Sequence, residues 1–164
     1  MDNEVVKKMG NNIEELASSL SYEIVKEVAP EELDLFDDIK EEYLKNPGAF
    51  LEKDTKKKDQ LLGFGGGGAE VFVTTTILPL VLGVVIHIGK AGIETIKDEG
   101  SKAIAEWFKA KLGGKASHLS KEKLKLMRDS VYDNAIISGV KKEKASIISD
   151  AFIGKLVLIH HYEK

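Results

Sequence analysis

A chain of 164 residues, 43% hydrophobic and 31% charged, suffices for one domain with a modest core, or for a soluble unit beside a short apolar segment. It is too short for two large catalytic lobes and too apolar for a disordered tail. The absence of cysteine excludes disulfides, thiolate nucleophiles and cysteine-ligated zinc, and fits a reducing compartment.

The net charge of −3 conceals two opposed blocks. Residues 1–48 hold five Lys against thirteen Asp and Glu, and residues 101–128 hold eight Lys and Arg against two Glu. Such blocks are first of all solvated faces, and second, surfaces that attract charged partners. The opening MDNEVVKKMGNN lacks the basic-then-apolar order of a secretory signal, which predicts a cytoplasmic N-terminal part.

In chain order, Met9, Ile13, Leu16, Leu20 and Ile24 recur at helical spacing and predict an amphipathic helix that ends at Ala29 and Pro30. Pro30 suits the first turn of a second helix, with Glu31, Glu32 and Asp34 at its positive end. Leu33, Phe36, Ile39 and Tyr43 form its buried face, and Asn46, Pro47 and Gly48 stop it. Together these make an acidic helical unit over residues 1–62, whose charged end is only weakly periodic. Gly63, Gly65, Gly66, Gly67 and Gly68 then predict a hinge over 63–69.

Residues 70–112 are expected to form a long central helix, apolar and then amphipathic. Ile93, Ile96, Ile104, Trp107, Phe108 and Leu112 make its second stripe, and a kink or break is expected near Gly100. The only strand candidate is VFVTTT at 71–76. Residues 113–164 predict a helical hairpin. Ser120 is its N-cap, Leu119 and Leu124 form a hydrophobic staple, and Gly139 with Val140 provide a Schellman exit. Ile147, Ile148, Ala151, Phe152, Leu156 and Ile159 point inward on the last helix. The fold class is all-α, with no internal repeat.

Sites for chemistry are sparse. Gly63, Gly65 and Gly68 match G-x-G-x-x-G, but no strand precedes them and no βαβ unit surrounds them; no Lys-Ser or Lys-Thr completes a phosphate loop. The carboxylates of Asp34, Asp37, Asp38, Glu41 and Glu42 share a helix and lack further ligands for a cation shell. His87, His118, His160 and His161 show no spacing for a hydrolytic zinc site or a triad. The basic stretch offers few groups for base edges, and the whole chain is acidic, which argues against nucleic acid. No catalytic residue, metal or cofactor is expected.

What stands out is residues 71–88, eighteen positions without Asp, Glu, Lys or Arg. Their apolar members are Val71, Phe72, Val73, Ile77, Leu78, Leu80, Val81, Leu82, Val84, Val85, Ile86 and Ile88, with Pro79 inside the run. As a helix the run is about 27 Å long, just short of a ~30 Å hydrocarbon core. Two readings follow. In one, the hinge lets the acidic unit move off and the segment enters lipid. In the other, Thr76 caps a helix starting near Ile77, Pro79 falls in its first turn, and the helix is buried in a soluble bundle.

The leading expectation is a non-enzymatic, self-associating, membrane-active helical protein, a pore-type effector of bacterial origin. It would be cytoplasmic with inner-membrane association, and its partners a second copy of itself and anionic membrane lipid. The alternative is a soluble adaptor that binds protein partners through an acidic face, Asp34, Asp37, Asp38 and Glu41, and a basic one, Lys109 and Lys111.

Overall fold

The computed structural model describes residues 3–46, 73–112 and 119–162. They form six α-helices: α1 (Asn3–Val28), α2 (Leu33–Lys45), α3 (Val73–Ala91), α4 (Glu99–Leu112), α5 (Lys121–Ile137) and α6 (Lys142–Tyr162). Short 3-10 turns at Pro30–Glu32 and Ile93–Thr95 precede α2 and α4. There is no strand among the described residues, so the fold is all-α. Gly63 and Gly65 to Gly68, with Val71 and Phe72, lie outside them.

Helix α1 is the central post. It packs along α3 on one side and α6 on another, while α5 bridges α4 and α6. Its buried stripe is Ile13, Ala17, Leu20 and Ile24, with Val25 beside it. Ser21 also lies on this face, fully buried, and donates its hydroxyl to the Ala17 carbonyl at 2.8 Å. That internal bond removes the cost of burying a hydroxyl. Pro30 then starts the 3-10 turn, where its missing N–H costs nothing.

The central segment departs from expectation, because it is two helices. The break falls at Gly92, whose φ of 81° lies in the left-handed region that glycine enters without a Cβ clash. Residues beyond it make one 3-10 turn before α4 begins. Gly100 is therefore not the breaking point; it lies in the first turn of α4 at a close crossing with α5. A Cβ there would sit 2.3 Å from the Leu126 carbonyl oxygen and 2.4 Å from the Ser130 Cβ. The residues 73–76 proposed as strand are helical, and α3 does not start near Ile77. Pro79 is thus inside the helix, where it cannot donate to the carbonyl of Thr75.

At the other end the local signals hold. Ser120 accepts from the Lys123 N–H at 3.2 Å. Val140 N–H reaches the Ala135 carbonyl and Gly139 N–H the Ile136 carbonyl, both at 3.0 Å, with φ of 97° at Gly139. This is the Schellman pattern. On α6, Ile148, Ala151, Phe152 and Leu156 are buried, but Ile147 is 55% exposed, one residue and so about 100° away from the buried stripe. One hydrophobic cluster draws on all six helices.

Candidate functional site

Helix α3 is the one helix among the described residues long and apolar enough to cross a bilayer, with a mean hydropathy of 1.7. The core helix of a soluble protein has the same profile. Its burial is incomplete. Val73, Thr74, Thr76, Ile77, Leu78, Val81, Leu82 and Val85 are buried, whereas Pro79, Leu80, Val84, Ile86 and Ile88 are only half-buried. Of its most apolar window, 44% is buried.

The amino end of α3 is held by a residue far away in sequence. Glu32, only 5% exposed, turns inward from the 3-10 turn before α2. Its Oε2 accepts from the Val73 N–H at 2.9 Å, and its Oε1 accepts from the Thr74 N–H at 2.9 Å and the Thr74 hydroxyl at 2.8 Å. The carboxylate thus supplies acceptors to N–H groups that a helix cannot pair internally, and its charge meets the positive end of the helix dipole. Hydrogen bonds to a charged group contribute roughly 1.5–3 kcal/mol each. Sequence reasoning assigned Glu32 to the first turn of its own helix. No local pattern points from residue 32 to a partner 41 positions on.

Further along, α2 touches α3 again. Gly83 faces the hydroxyl of Tyr43, which would lie 3.1 Å from a Cβ at that position. Tyr43 is buried, and desolvation pushes its phenol up to about 12. At the carboxyl end, His87 Nε2 hydrogen-bonds the Thr95 hydroxyl, which donates to the Gly92 carbonyl at 2.9 Å. His87 is thereby tied to the turn that ends the helix.

The charged residues do not form one surface. Asp34, Asp37, Asp38 and Glu41 are exposed on α2, where Asp37 pairs loosely with Lys40 at 3.8 Å and Glu41 with Lys45 at 3.4 Å. Lys109 is exposed on α4, next in the helix to exposed Glu106. Lys111 turns elsewhere: its ammonium lies 5.9 Å from the Trp107 ring centre and donates to the Ile159 carbonyl at 3.4 Å. Among the described residues no three His, Asp or Glu side chains converge as a metal site. A groove of about 460 Å³ between α1 and α6 is lined by Leu16, Leu20, Leu158 and Ile159 with Glu23 and Lys155.

A second polar cluster also escaped sequence reasoning. Asp98 accepts from the Ser101 N–H at 2.9 Å, the Ser101 hydroxyl at 2.7 Å and the Ser130 hydroxyl, joining α4 to α5. Burial is the largest influence on this carboxyl and acts to raise its pKa. The hydrogen bonds from Ser130 and Ser101 together outweigh burial and hold the pKa below its ordinary value. The visible signal was Asp98-x-x-Ser101, an N-cap spacing just before α4. No protein-family model, curated protein or solved structure matches the chain.

Proposed function

We propose that the protein acts at a membrane, by conditional insertion of α3, and has no catalytic role. The observation that carries this reading is the length and uncharged, apolar composition of α3, whose burial in the bundle is incomplete. Nineteen residues at about 1.5 Å each reach ~28 Å, and the first charge along the helix is Lys90, in its last turn. Leu80, Val84, Ile86 and Ile88 are only half-buried, so apolar surface remains on the helix after the bundle has formed.

Inside lipid, Gly83 and the three threonines favour packing against a second copy over a solitary span, because small and hydroxyl-bearing side chains let helices approach closely and hydrogen-bond to one another. Self-association in the bilayer is therefore part of the reading. Lys90 would extend its ammonium to the headgroups, so anionic lipid is the expected partner.

The test is flotation of the full chain with phosphatidylcholine–phosphatidylglycerol vesicles, read together with release of a trapped dye. Carbonate-resistant association with release supports insertion. A monodisperse species that neither floats nor releases dye removes it and favours a second reading, a soluble module that recognises a basic protein surface through the exposed Asp34, Asp37, Asp38 and Glu41 of α2.

A further inference from the structure

We infer that α2 is a strap that keeps α3 in the bundle, fastened at Glu32 and at Tyr43. The inference rests on the membrane reading for its purpose, though not for its geometry.

Glu32, at the start of α2, meets Val73 and Thr74 at the start of α3, and Tyr43, near the end of α2, meets Gly83. The two intervals are about 16 Å and 15 Å of helix, so α2 runs beside α3 in the same direction and touches it at matched points. A Cβ at position 83 would stand 3.1 Å from the phenol oxygen, tighter than ordinary contact, so glycine there eases the approach. A strap must also be the looser partner. Within α2 only Phe36 and Tyr43 are buried, while Leu33 and Ile39 pack on the core from half-buried positions, and its contacts to α1 include Phe36 edge-on to Tyr22 at 5.4 Å and Lys40 to the Ser18 hydroxyl at 3.2 Å.

Beneath it lies a groove of about 400 Å³, lined by Ser18 and Ser19 of α1, Lys40 and Leu44 of α2, and Leu82 of α3. Few buried side chains and an open groove mark an element that detaches before the rest of a fold. Once it lifts, the start of α3 loses its carboxylate cap, and the face beneath Tyr43 is uncovered.

The experiment is hydrogen exchange on the full chain carrying Glu32→Gln, which keeps the shape of the side chain and removes its charge and one acceptor. Charge-assisted bonds of this kind correspond to a factor of about ten or more in an opening equilibrium. Exchange is expected to rise about tenfold in residues 33–45 and 73–85 and to stay unchanged in 121–137 and 142–159. Should Glu32→Gln fail to fold, Thr74→Val, which deletes a single bond to Glu32, gives the same regional pattern at smaller amplitude. Uniform acceleration, or none in α2 and α3, overturns the strap. Vesicle dye release by the same variants separates the two ideas: regional opening without added release leaves the strap standing and removes the membrane reading.

Discussion

A glycine inside a helix can be a defect or a requirement, and two positions separate the cases. Gly154 lies in the middle of α6, and a Cβ added there meets nothing within 4 Å. Gly154→Ala is expected to raise stability by about 0.5–1 kcal/mol through helix propensity alone, a gain of a few degrees in melting temperature. The same substitution at Gly100 forces a methyl against the Leu126 carbonyl and the Ser130 side chain. Backbone on one side cannot yield without moving α4 off α5, so Gly100→Ala should cost about 1–3 kcal/mol, the range for overpacking. Thermal melts of the two variants should move in opposite directions. From sequence Gly100 counts only as a weak point of a helix.

Among the elements, legibility follows how local the determining contacts are. Helix α5 was bounded correctly at both ends because its cap and its exit are made by residues within six positions of each other. For helix α4 the preceding break is expected near Gly100 and falls a few residues earlier, because it depends on one positive φ at Gly92 that the stripe from Ile93 to Leu112 does not mark. Its cap, Asp98, makes a pH prediction at this scale. The folded pKa is lowered, so the stabilisation is present above the unfolded value of about 3.9 and is lost as pH falls through the folded value. Asp98→Asn keeps a capping oxygen and removes the charge, so it should lose about 0.3–1 kcal/mol of stability against the wild type at neutral pH. The two urea midpoints should converge below about pH 4. A gap that persists at low pH would place the role of Asp98 in shape and not in charge.

For the whole molecule, composition and periodicity were enough for an all-α bundle, since buried stripes on amphipathic helices pack in few ways. They were not enough to place α3, whose apolar residues surround the helix and so leave its buried side unmarked. That side is chosen by α1 and α2, including a carboxylate 41 residues away. The distinction matters because the same helix must satisfy two environments if the proposed function holds, and one substitution weighs them against each other. Leu80 is half-buried and packs against the core from the more open side of α3. In the soluble bundle a lysine at this position lays its stem along the apolar surface and keeps its ammonium in water, costing about 1 kcal/mol. In a bilayer, position 80 lies about 10 Å along a helix of about 28 Å, well inside the hydrocarbon, where exchanging leucine for lysine costs about 3 kcal/mol. Leu80→Lys should thus keep its circular dichroism and a cooperative melt while vesicle partition and dye release fall on the order of a hundredfold. Equal release from Leu80→Lys and wild type would mean that α3 never leaves the bundle, and the activity would have to be sought on the acidic face of α2.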